Sequence, residues 1–361
     1  MQKNKSILSW LILSICFLIF ISSVVFFVQN RGNETTENLN VTLTDVGFDT
    51  PITLNCSCSQ ADFAKYTKIL RKTFKENNKR FDQYHAYKNM NNLYTLNHEA
   101  YDHPIQMDET FIDCLKLAMK MQSKNSQFDI SQGALLNLWH DARENTQVPP
   151  SDDKIQEALK HIDLKNIQIN KNEVSYLDSE LSIDLGAIAK GYTAQLAKEA
   201  LNKAGLTNGY INAGGNVVLL GEKEDGTNWK IGIQSPDASD ALVQYSTKKA
   251  TCLVTSGDYQ RYFTYKNKKY SHIIDPKTGY PANYVRSVTV ITKDSGKADA
   301  LSTTLFCMSV EDGKKYLSTL DYDVQAIWIV DKDSDVSSNL ETKNYKIITT
   351  DKIKNRVTLV D

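Results

Sequence analysis

The sequence predicts an α+β fold with sheets paired mainly antiparallel, preceded by one N-terminal transmembrane helix. Three observations carry that prediction. Helical and strand-like segments are mixed along the chain without the strict alternation of a parallel α/β protein. No internal repeat or low-complexity tract interrupts them. One long apolar run, Ile7 to Val28, sits at the start and contains no charged residue. The rest has the composition of a globular protein. Of 361 residues, 42 are Lys or Arg and 43 are Asp or Glu, a net charge of −1 that gives no reason to expect nucleic acid. Lys65, Lys68, Arg71 and Lys72 do cluster, but among Phe63, Ile69, Leu70 and Phe74 they read as the solvated face of a helix.

At 1.5 Å per residue, Ile7 to Val28 is long enough to cross the ~30 Å hydrocarbon core of a bilayer. Lys3 and Lys5 precede it, whereas Arg31 is soon joined by Glu34 and Glu37, which places Met1 in the cytoplasm and the remainder outside. No small-residue cleavage site follows Val28, so residues 1–31 read as a retained anchor. Cys16 lies in the middle of the apolar run behind bulky Ile15, which argues against lipidation. Residues 32–45 are rich in Asn, Thr and Glu and read as a flexible tether, with the folded domain at 46–361.

Within that domain Thr50 to Asn55 alternates like a strand, and Asp62 to Arg80 carries apolar residues at helical intervals. Further helices are expected at Asp108 to Met121, Asp152 to Ile162, Ile188 to Ala204 (ended by Gly205) and Lys297 to Val310. Strands are expected at Ile167 to Ile169, Leu181 to Ile183, Tyr210 to Leu220, Trp229 to Gln234, Thr251 to Thr255, Arg286 to Thr292 and Val324 to Val330, with a final pair near Lys346 to Ile348 and Arg356 to Val360. Cys56, Cys58, Cys114, Cys252 and Cys307 are too scattered for a disulfide framework, and Cys56-Ser57-Cys58 lacks the partner cluster that a zinc site needs.

Several local patterns suit phosphate and metal chemistry. Asp299 and Thr303 are four apart on an expected helix, so a carboxylate and a hydroxyl share one face, a pair of hard oxygens suited to magnesium or calcium. An Asp near a helix start is also a common N-cap, and spacing alone does not decide between the two. Asp184 to Tyr192 leads from a strand end into a helix with Lys190 in its first turn, where free amides and a cation favour phosphate. Gly214-Gly215 in Asn212-Ala213-Gly214-Gly215-Asn216 permits a tight bend or a close approach, without forming a dinucleotide fingerprint or a P-loop. His272, beside the turn residues Pro276 and Gly279, is a group that takes a proton near neutral pH.

Taken together, Thr255-Ser256-Gly257-Asp258-Tyr259, Ser271-His272-Ile273-Ile274-Asp275-Pro276-Lys277-Thr278-Gly279 and Ala298-Asp299-Ala300-Leu301-Ser302-Thr303, with Asp184 to Tyr192 and Asn212 to Asn216 upstream, resemble the ordered motifs of the ApbE family of FAD:protein FMN transferases. The resemblance covers roughly Val46 to Gly313. It implies a two-lobed catalytic domain with the flavin nucleotide between the lobes, and transfer of FMN from FAD to a Ser or Thr of an acceptor protein with release of AMP. By the same resemblance Mg²⁺ is held by Asp299, Thr303 and the Ala187 carbonyl. Asp184, Lys190, Ser256, Gly257, Asp258, His272 and Ile273 lie along FAD, Tyr87, Phe128 and Asp129 lie near it, and His272 is the catalytic base. The implied acceptor is an extracytoplasmic redox protein. Ser271 stands where the family often has a first histidine and Ser302 where it commonly has Ala. Two other outcomes fit the same residues: hydrolysis of FAD to FMN and AMP, and storage of FAD without chemistry. Trp139 reads as core.

Overall fold

A computed structural model describes residues 36–125 and 127–360. The apolar run Ile7 to Val28 and the expected anchor 1–31 lie outside them, and among the described residues no helix is long and apolar enough to cross a membrane. The strands are β1 Glu37–Leu43, β2 Ile52–Cys58, β3 Ile105–Gln106, β4 Ile167–Asn170, β5 Glu173–Tyr176, β6 Tyr210–Ala213, β7 Asn216–Leu219, β8 Trp229–Gln234, β9 Ala241–Thr247, β10 Cys252–Gly257, β11 Tyr262–Tyr265, β12 Lys268–Ser271, β13 Ser287–Thr292, β14 Gln325–Asp331, β15 Leu340–Glu341, β16 Tyr345–Thr349 and β17 Val357–Leu359. The α-helices are α1 Gln60–Phe81, α2 Leu93–Glu99, α3 Glu109–Gln122, α4 Gly133–Asp141, α5 Asp152–Leu159, α6 Ala189–Lys203, α7 Ser295–Phe306 and α8 Val310–Ser318.

A nine-stranded sheet in the order β1-β2-β6-β7-β10-β13-β14-β16-β15 forms the backbone of the molecule, and its pairings are antiparallel. Its central strands are buried on both faces. Val288, Val290, Ala326, Trp328 and Ile348 point toward the helices α3 and α7, while the alternate residues Ile291, Ile327, Ile329 and Ile347 pack beneath Ile233, Val243 and Tyr245 of the β8-β9-β17 sheet. This two-sided burial explains why β13 and β14 read as continuous apolar runs although they are antiparallel. Helix α1 starts at the N-cap Ser59, whose hydroxyl accepts from the Asp62 N–H, and buries Tyr66, Leu70, Phe74, Asn77 and Phe81 along one face. A second region holds β3-β5-β4 with α2 and α3, and α4 and α5 pack Trp139, Leu135 and Ile155 against Phe263.

Five of the expected segments differ in kind from those observed. The expected tether 32–45 ends early, because Glu37–Leu43 pairs in register with β2, Leu43 against Ile52. Leu39, Val41 and Leu43 alternate with Asn38, Asn40 and Thr42, a period-two signal that the polar average concealed. Leu181 to Ile183 makes a single bridge from Ser182 to Gln132 and no strand. Tyr210 to Leu220 is a hairpin, folded at Gly214 and Gly215 with φ of 57° and 94°. The helix expected at Lys297 to Val310 stops at Phe306, and Ser309 caps a new one, α8. The expected final strand pair is not a pair, since β16 joins β14 and β15 whereas β17 joins β9.

Candidate active site

Helices α6 and α7 meet where the site forms, and Gly191 is the reason they can. A Cβ there would lie 2.3 Å from the Ser295 carbonyl oxygen and 2.5 Å from the Asp299 Cβ, so no larger residue permits this approach. Across the contact the Gly191 N–H donates to Asp299 Oδ2 at 2.7 Å. Asp299 therefore caps α6 from α7. The first bond of α6 runs from the Tyr192 N–H to the Ile188 carbonyl, so the helix does not use the carbonyl of Ala187.

Asp299 is 7 % exposed, and burial pushes its pKa up to about 6 against the opposing pull of Lys190, the Gly191 N–H and Asn216. Thr303 sits one turn further along the same face of α7. The carboxylate, the hydroxyl and the Ala187 carbonyl are all hard oxygens, a donor set that fits Mg²⁺. Among the described residues no group of three or more His, Cys, Asp or Glu is placed to hold a metal, so further ligands for an ion here would come from substrate or water. The buried Asn216 amide nitrogen faces Asp299 without completing a hydrogen bond of good geometry, which leaves it able to donate to an incoming acceptor oxygen such as that of a phosphate. Lys190 forms no ion pair among the described residues; burial lowers its pKa, with Asp299 opposing.

Two segments close on this pair. Ser302 is buried and links them: it donates to the Asp299 carbonyl and shares a 2.8 Å contact with the Ser256 hydroxyl at the end of β10. The next residues, Gly257 and Asp258, turn back under Tyr259, whose ring is within 2.6 Å of where a Gly257 Cβ would stand. The Asp258 carboxylate is held by Arg286 at 2.8 Å and Lys269 at 3.2 Å, and Arg286 also binds Asp237 and Asp331. Asp258 is thus engaged in fixing the loop.

His272 follows β12 directly. Its N–H donates to the Arg261 carbonyl at 3.0 Å, and its Nδ1 lies 3.1 Å from that same oxygen. A carbonyl only accepts, so Nδ1 carries the proton and Nε2 keeps its lone pair. Burial, with the cations Arg261, Arg143 and Lys190 close by, holds the imidazole neutral with a pKa down at about 4. Ser271, at the position of the family's first histidine, is buried with an unpartnered hydroxyl.

Asp184 accepts from the Gly186 N–H and from Gln83, both at 2.6 Å, and burial raises its pKa. The Phe128–Ser131 segment supports this loop from behind: the Ile130 carbonyl accepts from the Asp184 N–H, and Asp129 accepts from the Ser131 N–H at 2.8 Å. Phe128 is 2 % exposed and packs in the main core. Ile273 is likewise a core residue, with its carbonyl taken by the Ala282 N–H. Tyr87 turns its hydroxyl to Asp82 at 2.7 Å and its ring toward Lys79. The aromatic that joins the site is Tyr84, 49 % exposed and stacked on His140 at 5.0 Å, with its pKa raised by burial and by the nearby Asp184. Trp139 is core, as expected.

Sequence reasoning missed Gln83, Tyr84, His140, Arg143 and Arg261. They come from separate segments that carry no local spacing signal. Arg143 alone had a structural hint, a wide turn in which the Gln147 N–H reaches the Ala142 carbonyl, a geometry common at functional sites.

The ApbE family profile matches residues 48–328. The FAD:protein FMN transferase of Klebsiella pneumoniae (strain 342) is 35 % identical over 241 residues, covering 65 % of this chain and 73 % of the relative. That of Vibrio cholerae is 32 % identical over 236 residues, covering 64 % and 71 %. Among solved structures, the ApbE protein of Thermotoga maritima superposes with a TM-score of 0.72 at 28 % identity over 81 % of this chain and 94 % of its own. The flavin transferase ApbE of Vibrio cholerae superposes with 0.73 at 25 % identity over 89 % and 100 %. The chain belongs to the ApbE family.

Proposed function

We propose that the chain transfers FMN from FAD to a Ser or Thr hydroxyl of an acceptor protein, with release of AMP. The observation that carries this reading is the convergence of a neutral imidazole with a free Nε2, an unpaired Lys190 and the Asp299–Thr303 face around one site. Mg²⁺ held by Asp299, Thr303 and the Ala187 carbonyl would neutralise charge on the pyrophosphate. Lys190, Arg261 and Arg143 give the same region positive potential, suited to the diphosphate of FAD. His272 Nε2 takes the proton of the acceptor hydroxyl as its oxygen attacks the FMN phosphorus. The anhydride P–O bond breaks, and AMP leaves with the bridging oxygen. Exposed Tyr84 on His140 offers an aromatic surface beside Asp184.

The acceptor class and the location belong to the same proposal. The uncharged run Ile7 to Val28 behind Lys3 and Lys5 supports a membrane-anchored enzyme with its domain outside the cytoplasm, acting on a redox protein there. Mass spectrometry of a candidate acceptor after incubation with FAD and Mg²⁺ tests the chemistry. An FMN adduct on Ser or Thr is expected; free FMN with an unmodified acceptor would make the protein a hydrolase, and intact FAD would make it a carrier.

A further inference from the structure

Strands β11 and β12 form a two-stranded sheet of their own, joined by Lys266 and Asn267 with φ of 47° and 60°, the two-residue turn that matches strand twist. Its inner face is fixed to the domain, since Phe263 stacks on Tyr270 at 5.2 Å and Tyr270 on buried Trp139 at 5.8 Å. Its base holds His272 through the Arg261 carbonyl. The register pairs Tyr265 with Lys268 next to the turn and Phe263 with Tyr270 two residues on. Because bonded and non-bonded pairs alternate from a two-residue turn, the N–H and C=O groups of Tyr262 and Thr264 face away from β12. Both residues are exposed, and no second strand pairs with that edge among the described residues.

The hairpin is also one-sided in charge. From Arg261 to His272 there are four Lys or Arg and no Asp or Glu. Lys269 is paired with Asp258, whereas Lys266 and Lys268 have no acidic partner among the described residues and lie over the rings of Tyr265 and Tyr270 at 5.2 Å. Lysines on an open edge also discourage pairing between copies, which is a sufficient reason for them by itself. The position beside the base His272 adds a second reason.

Resting on the transferase reading, we infer that the β11 edge docks an extended acidic segment of the acceptor, which adds to the hairpin as a strand and brings its hydroxyl to His272. Main-chain bonds to Tyr262 and Thr264 supply affinity, and Lys266 and Lys268 select for acidic residues. The probes are two labelled synthetic peptides, one Thr flanked by Asp and Glu and the same Thr flanked by Lys, followed by fluorescence anisotropy on the FAD-loaded protein. The acidic peptide is expected to bind at low salt and the basic one not. The double variant Lys266→Glu, Lys268→Glu is expected to weaken binding by about tenfold with unchanged FAD affinity. Thr264→Pro, which removes an outward N–H, is expected to weaken it as well; if that variant does not fold, the surface charge reversal decides alone. Equal binding of both peptides, no binding of the acidic peptide to wild type, no loss on charge reversal, or sedimentation showing the edge paired with a second copy would each overturn the inference. Anisotropy needs no flavin transfer, so a protein that binds the peptide but modifies no acceptor would sink the transferase reading alone.

Discussion

Asp299 has two tasks at once, capping α6 through the Gly191 N–H and presenting the anionic oxygen proposed for the metal. Its folded pKa is raised from 3.8 to about 6, so it contributes stability below pH 4 that is lost as pH rises through 6. That shift corresponds to a cost on the order of 3 kcal/mol at neutral pH. Asp299→Asn, which keeps an acceptor for Gly191, is therefore expected to raise the melting temperature of the apo protein by several degrees at pH 7.5, with no gain at pH 4, while abolishing flavin transfer. Thermal melts at the two pH values check this, and an unchanged melting temperature at pH 7.5 would contradict it. His272 has the opposite sign: with its pKa lowered from 6.5 to about 4, its contribution is present above pH 6.5 and lost as pH falls through 4. The acid limb of kcat/KM is accordingly expected well below pH 6.5, since the folded His272 stays neutral down to about pH 4. His272→Ala is expected to slow transfer by roughly 10²–10⁴-fold with FAD affinity retained, measured by single-turnover kinetics and FAD titration. The Asp299–Thr303 pair was legible because its i, i+4 spacing is local. Tyr84, Arg143 and Arg261 were not, because tertiary folding alone brings them together, and Phe128 and Ile273 show that an apolar residue within a motif can serve the core.

At the scale of elements, the contact between α6 and α7 hangs on one missing side chain. Gly191→Ala forces a methyl against the Ser295 carbonyl and Asp299, with an expected destabilisation of about 1–3 kcal/mol and a weaker response of stability to added Mg²⁺. Denaturant unfolding with and without the ion measures both, and a wild-type response would show that the close approach is dispensable. Helices α1, α3 and α6 were legible from apolar periodicity and cap residues. The split between α7 and α8 was missed because Phe306 to Val310 is apolar enough to hide the Ser309 cap. Strand β1 was missed because four of its seven residues are polar, so the average hid the alternation.

For the whole molecule, antiparallel pairing and mixed order followed from the sequence, but the stacking of β8-β9-β17 on the nine-stranded sheet did not, since periodicity marks both faces as buried without saying what covers them. The β1 register changes what truncation does. Removing residues 1–31 is expected to leave a soluble, active domain, whereas removal through Asp45 strips the edge from β2 and uncovers Leu43's partner Ile52, lowering the melting temperature. Equal melts for the two truncations would contradict that. The central claim is that one reaction both attaches FMN and releases AMP. The most direct measurement is the amount of each, quantified together, after an acceptor is incubated with FAD, Mg²⁺ and the truncated protein. One AMP per FMN attached, with neither formed by Asp299→Ala, is the predicted result; AMP released without an acceptor adduct would contradict it.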